Sequence, residues 1–142
     1  MRELPLPSPD ELPGGSPSAS APPAGDLLAL PAGYTLNEYR IERVLGWGGF
    51  GVTYLARDSH LDCPVAIKEY LPRAVAGRGP EQSVCPHSEA TAQPFEWGLQ
   101  RFLLESRALA SFHHAGIVRV LRYFRANDTA YMVMEYETGE PL

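Results

Sequence analysis

The sequence predicts an α+β fold: a five-stranded antiparallel sheet with one main helix, preceded by a disordered tail. Three observations carry that expectation. Residues 1–33 hold eight of the chain's fourteen prolines, interleaved with Ser, Ala and Gly. From Tyr39 the texture changes to short runs of β-forming residues separated by turn chemistry. One long amphipathic pattern then follows from Pro94, with two further strand-like runs behind it.

In the tail, repeated prolines fix φ, remove backbone donors and leave little apolar surface to bury. Residues 1–33 therefore read as disordered and partly extended, and 34–142 as the folded domain. Pro5-Leu6-Pro7-Ser8-Pro9 could also form a polyproline helix for a proline-binding domain, although a plain tail is the simpler reading. With 142 residues the chain supports one modest domain. Its net charge of −5 argues against a nucleic-acid partner, whose footprint would be basic and clustered.

No apolar run approaches the ~20 residues that span a bilayer. Leu27-Leu28-Ala29-Leu30 is too short for a signal peptide's apolar region, and Glu3, Asp10 and Glu11 contradict a basic leader. A cytoplasmic location is the expectation. Cys63 and Cys85 do not make a disulfide framework. Cys85-Pro86-His87 lacks a second ligand pair and reads as an ordinary loop, so no metal site is expected.

The first strand is read over Tyr39–Leu45, from apolar residues near period two. Gly46, Gly48, Gly49 and Gly51 follow, then a second strand over Val52–Arg57. Asp58-Ser59-His60-Leu61-Asp62 supplies a turn into a third strand, Val65–Tyr70, which stops before Pro72. Residues 71–93 are polar and long for a connection within a compact domain, which means function or flexibility.

The helix is expected from Pro94, with Phe95, Leu99, Phe102, Leu103 and Leu109 on one arc and a stop near His113, His114 and Gly116. Strands over Val118–Arg125 and Ala130–Tyr136, joined by Asn127-Asp128, complete the order.

Gly46-x-Gly48-x-x-Gly51 alone is a weak signal, because the same spacing opens a dinucleotide-binding fold. That fold needs the glycines between a strand and a helix, whereas here they join two strands. Nor does a Gly-Lys-Ser/Thr follow, as a P-loop requires. Ala66 and Lys68 are two apart in a strand and share one face, leaving Val65 and Ile67 to pack on the other. A face with an apolar floor and one lysine, next to a glycine turn, suits a base and its phosphates.

A strand-to-strand glycine loop followed by Val65-Ala66-Ile67-Lys68 resembles the N-terminal, ATP-binding lobe of the protein kinase superfamily. The wording Gly48-Gly49-Phe50-Gly51-Val52-Thr53-Tyr54-Leu55-Ala56 and Ile67-Lys68-Glu69-Tyr70-Leu71-Pro72 is similar to bacterial serine/threonine kinases, and the likeness spans about 39–142.

The resemblance implies a set of nucleotide-binding residues. Gly46, Gly48, Gly49 and Gly51 would cover the phosphates, with Leu45 and Phe50 also in the nucleotide site; Thr53 and Ala66 would line the adenine, and Lys68 would hold the α/β-phosphates. Thr53 stands where the family usually has valine, still β-branched but more polar. Glu105 would pair with Lys68, against the plainer reading that it pairs with Arg101; Glu96 is the rival partner for Lys68. Met134 would guard the back of the adenine pocket, with Glu135 and Glu137 offering backbone groups to the adenine edge.

The activity implied is transfer of the γ-phosphoryl of ATP to a protein serine or threonine, with Mg2+ held by residues of a C-terminal lobe. Neither His-Arg-Asp nor Asp-Phe-Gly occurs in the 142 residues, so the chain is expected to be a fragment, inactive alone. The alternatives are a non-catalytic nucleotide-binding or interaction module, or a pseudokinase fragment.

Overall fold

The computed structural model describes residues 28–111 and 119–136. The tail reading over 1–27, the helix stop at His113, His114 and Gly116, and Glu137 lie outside the described residues.

Six strands form one antiparallel sheet: β1 Thr35–Leu36, β2 Tyr39–Trp47, β3 Gly51–Asp58, β4 Cys63–Tyr70, β7 Val120–Ala126 and β8 Thr129–Glu135. Their spatial order is β1-β2-β3-β4-β8-β7. The five expected strands are all present, and the two-residue β1 is the addition, paired along β2 through Thr35 and Arg40. The turns follow the sequence chemistry. Asp58 Oδ1 accepts from the amides of His60 at 2.9 Å and Leu61 at 3.1 Å. Asn127 and Asp128 take φ of 53° and 59°, the paired left-handed geometry of a two-residue hairpin.

Sheet alternation divides the core in two. One face carries Ile41, Val52, Tyr54, Ala56, Val65, Ile67, Tyr131 and Val133, all buried. The opposite face carries Tyr70, Ala130 and Met132 and packs against α1, Glu89–Ala110. Ser88 precedes the helix, and its amide donates to Thr91 Oγ1 at 3.0 Å. The helix thus starts five residues before the expected Pro94, which sits within it. Its buried stripe is Phe95, Leu99, Phe102 and Ser106; Leu109, expected on the apolar arc, is 39% exposed. Tyr70 locks helix to sheet. Its ring lies 5.2 Å from Phe95 and 5.6 Å from Phe102, and its hydroxyl donates to the Phe95 carbonyl at 2.9 Å.

The polar stretch 71–93 is largely ordered structure. It forms a small hairpin of β5 Ala76–Arg78 and β6 Val84–Pro86, bridged by a single 3-10 turn at Pro80–Gln82. Ala76 and Val84 are buried, and the Val84 amide donates to the Asn127 carbonyl at 2.8 Å.

The folded body also reaches back beyond the expected boundary at residue 34. Ala29 and Leu30 are buried on the face opposite the helix, and the Gly33 amide donates to the Ile41 carbonyl at 2.7 Å. Burying a leucine is worth about 1.5–3 kcal/mol, while fixing each backbone residue costs about 1–2 kcal/mol. Leu30 therefore does not hold residues 28–30 by apolar contact alone. Two hydrogen bonds add to that contact: the Leu30 amide to Tyr54 Oη at 2.9 Å, and Arg78 Nε to the Leu28 carbonyl at 2.9 Å.

Candidate functional site

The glycine segment closes as a tight turn between β2 and β3. The Gly48 amide donates to the Gly51 carbonyl at 2.8 Å, and the Gly51 amide to the Gly48 carbonyl at 3.2 Å. Gly51 has φ of +146°, and a Cβ there would collide with the Glu69 carbonyl and the Leu71 amide nitrogen. Glycine is required at that point for both reasons. The Leu71 amide donates to the Phe50 carbonyl at 2.8 Å, so the turn is stitched to the end of β4.

Register places the predicted residues together. Thr53, Lys68 and Met132 are cross-strand partners, as are Leu55, Ala66 and Met134 in the next row on the same face. Sequence reasoning had picked Thr53, Ala66, Lys68 and Met134 from these rows. It missed Leu55 and Met132, although the alternation that pairs Ala66 with Lys68 also puts Leu55 on the face of Thr53 and Met132 on the face of Met134. Ala66 is 8% exposed, giving a smooth apolar floor, while Lys68 is half-buried at the level of the glycine turn. Val65 and Ile67 lie in the opposite core, as the alternation predicts.

The Lys68 ammonium stands 4.7 Å from the centroid of the Phe50 ring. Phe50 thus folds from the tip of the turn onto the lysine. Gly46, Gly48 and Gly49 are exposed around it, and Leu45 is half-buried in β2. At the far end of β8, Met134 is half-buried and Glu135 exposed; the Glu135 amide donates to the Arg119 carbonyl at 3.0 Å. The Glu135 carboxylate lies 3.7 Å from Arg119, a solvated pair of little energetic weight.

The expected pair of Lys68 with Glu105 is not formed. Glu105 is exposed, because the helix turns Phe102 and Ser106 inward, and the buried Ser106 hydroxyl donates to the Phe102 carbonyl at 2.8 Å. Successive helical residues differ by about 100°, so a helix that buries 102 and 106 carries 105 to its flank. Arg101, the alternative partner, lies over the Trp97 ring at 5.0 Å. Glu96, the rival for Lys68, accepts from Gln100 at 2.8 Å.

Directly behind Lys68, on the other face of β4, is a group that sequence reasoning passed over. Glu69 is 0% exposed. Its carboxylate accepts from Tyr54 Oη at 2.6 Å, Tyr131 Oη at 2.6 Å, and Arg78 Nη1 and Nη2 at 2.8 and 2.6 Å. The Arg78 guanidinium is charge-paired in a fork geometry. Burial works to lower its pKa, but hydrogen bonds and charge from Glu69 outweigh that and raise it. Burial, reinforced by the Glu69 charge, pushes the Tyr54 and Tyr131 hydroxyls well above the usual tyrosine value.

No family model matches the chain. Serine/threonine-protein kinase PknA of Mycobacterium tuberculosis is 34% identical over 116 residues, covering 78% of this chain and 23% of the relative. PrkC of Bacillus subtilis is 33% identical over 106 residues, covering 75% of this chain and 14% of the relative. The chain thus spans about a quarter or less of the length of these curated relatives. Among solved structures, the apo form of PpkA-294 superposes with a TM-score of 0.75 at 41% identity, over 79% of this chain and 40% of that one. The kinase domain of Mycobacterium tuberculosis PknI superposes with a TM-score of 0.52 at 24% identity, over 76% and 36%, a likeness of fold alone.

Proposed function

From a chain that belongs to the protein kinase superfamily and matches its N-terminal lobe, we propose that this protein supplies the ATP-binding half of a serine/threonine kinase. The observation that carries the reading is the cross-strand row Thr53–Lys68–Met132 beneath the glycine turn. It puts one cation where a flexible backbone can approach phosphates, next to the floor formed by Ala66 and Met134.

In this reading Gly46, Gly48, Gly49 and Gly51 cover the phosphates with Leu45 and Phe50. Lys68 binds them, exchanging its contact with the Phe50 ring for charge-assisted hydrogen bonds. Thr53 and Ala66 line the adenine, and Glu135 and Glu137 offer it backbone groups. Glu105 reaches Lys68 only if α1 turns it inward. Among the described residues no group of three or more His, Cys, Asp or Glu is placed to hold a metal ion. Mg2+, bound by residues of a C-terminal lobe, belongs to the same proposal, as does a protein serine or threonine as phosphoryl acceptor. A domain that consumes ATP works where ATP is abundant, so the reading carries a cytoplasmic location; among the described residues no helix is long and apolar enough to cross a membrane.

Calorimetric titration of the chain with ATP tests this reading. A charge-assisted contact is worth about 1.5–3 kcal/mol, so Lys68→Met should weaken binding roughly tenfold to hundredfold. Equal affinity in wild type and Lys68→Met would overturn the site assignment. One observation favours a second reading, a non-catalytic nucleotide-binding module: Glu105 is exposed and Lys68 rests on Phe50. Tight ATP binding by a soluble monomer of this chain would support that module, whereas weak binding with aggregation would favour a truncated kinase.

A further inference from the structure

We propose that Arg78 and Glu69 are positioning residues for Lys68 and the glycine turn, and that docking of the segment Leu28–Leu30 sets them. The functional consequence rests on the nucleotide-binding reading; the mechanical coupling does not.

Lys68 and Glu69 are neighbours on β4 that point to opposite faces, so whatever fixes the Glu69 carboxylate fixes the backbone that carries Lys68. Four donor atoms from three other elements converge on that carboxylate: Tyr54 of β3, Tyr131 of β8, and the two terminal nitrogens of Arg78 from β5. The Glu69 backbone also touches the glycine turn, because its carbonyl occupies the space that a Cβ on Gly51 would need. A displacement at Glu69 therefore moves both groups that would hold a phosphate.

The N-terminal segment is wired into the same assembly. The Leu30 amide donates to Tyr54 Oη, whose own proton goes to Glu69, and Arg78 Nε donates to the Leu28 carbonyl. Ala29 and Leu30 are themselves buried, in the same apolar cluster as Tyr54 and Tyr131. With the segment docked, the hydroxyl and the guanidinium are each fully engaged. With it released, Tyr54 Oη loses a donor, Arg78 Nε loses its acceptor, and water reaches the Arg78–Glu69 pair. A buried ion pair holds its geometry only while its remaining hydrogen bonds are satisfied, so the pair loosens. The segment is a strap whose latch lies behind the lysine.

The test compares wild type, Leu30→Asp and Arg78→Lys in the full chain, by amide hydrogen exchange and ATP titration. Leu30→Asp places a charge at a position 3% exposed and expels the strap. Exchange should rise about tenfold or more over Cys63–Leu71 and Gly48–Gly51, but not over Phe95–Ser106 of α1, and ATP affinity should fall with it. Arg78→Lys keeps the charge without the fork or the Nε donor, and should produce the same pattern at smaller amplitude. If exchange rises only over residues 28–34, the strap is a passive cover and the proposal fails. If Leu30→Asp unfolds the chain, selective loosening of β4 in Arg78→Lys supports the proposal and wild-type exchange there overturns it. If wild type binds no ATP, the nucleotide reading fails while the exchange results still decide the coupling.

Discussion

Replacing Arg78 by methionine removes the cation from a carboxylate that has no access to water. The Glu69 side chain is 0% exposed and that of Arg78 is 8% exposed, so solvent cannot substitute for the lost partner. Glu69 would keep only the hydroxyls of Tyr54 and Tyr131. The carbonyls of Leu28 and Gln82 would each lose a donor, now held at 2.9 Å. Breaking a buried pair from one side costs about 3–5 kcal/mol, a large share of a domain's total of about 5–15 kcal/mol. For a body of this size that corresponds to a Tm lowered by about 12 °C or more.

Urea unfolding followed by the fluorescence of Trp47 and Trp97 gives the number directly. Glu69→Met combined with Arg78→Met should recover much of the loss, because it leaves no unpaired charge. An Arg78→Met unfolding free energy within about 1 kcal/mol of wild type would refute the claim that the pair is desolvated, since an exposed pair is worth about that much. So would a double variant less stable than Arg78→Met.

Two further expectations concern the turn and the tyrosines. Gly51→Ala should cost about 2 kcal/mol or more, through its positive φ and its collision with the Glu69 carbonyl, and should slow refolding or lower the urea midpoint. Gly49→Ala, whose Cβ would meet nothing within 4 Å, should leave the midpoint near wild type; equal losses in the two variants would count against the steric account. Burial raises the hydroxyl pKa of Tyr54 and Tyr131 above 10.0 and pushes Tyr70 up to about 12. The folded state then holds these protons more tightly than the unfolded chain. Their contribution is complete below pH 10 and is lost as pH rises above it, so the urea midpoint should fall between pH 9.5 and 11.5, less steeply in Tyr131→Phe. A flat midpoint across that range would show that the hydroxyls are not desolvated.

Local pattern in the sequence reached the sheet and the phosphate face. Alternation identified Ala66 and Lys68 on one side and Val65 and Ile67 on the other, because a strand's side chains alternate whatever lies far away. Glycine and Asx chemistry marked the turns at 46–51, 58–62 and 127–128, since those conformations are intrinsic to the residues.

What escaped was long-range. Arg78 looks like a loop arginine until the fold brings it to Glu69, and Glu69 looks like a surface neighbour of Lys68 until Tyr54 and Tyr131 close around it. Leu28-Ala29-Leu30 was absorbed into the proline-rich tail because its burial depends on a sheet face formed later in the chain. The sequence points to a helix start at Pro94, five residues late, because a proline is more usual at a first turn than inside a helix. Glu105 points outward: family likeness picks the residue, whereas the packing of Phe102 and Ser106 sets its direction.

The single carboxylate of Glu69 also has a consequence in sequence space. Tyr54 and Tyr131 each donate one hydrogen bond to it and Arg78 donates two. An isolated exchange at any of the four leaves a stranded donor or an unneutralised anion, while a joint exchange to apolar residues removes the charges and leaves only neutral groups, such as the Leu30 amide and the Asn127 side chain, to be satisfied elsewhere. Divergence among relatives should therefore proceed here by jumps: lineages either carry the acid with its three donors or have discarded the group, and with it the tether of the hairpin and of the strap.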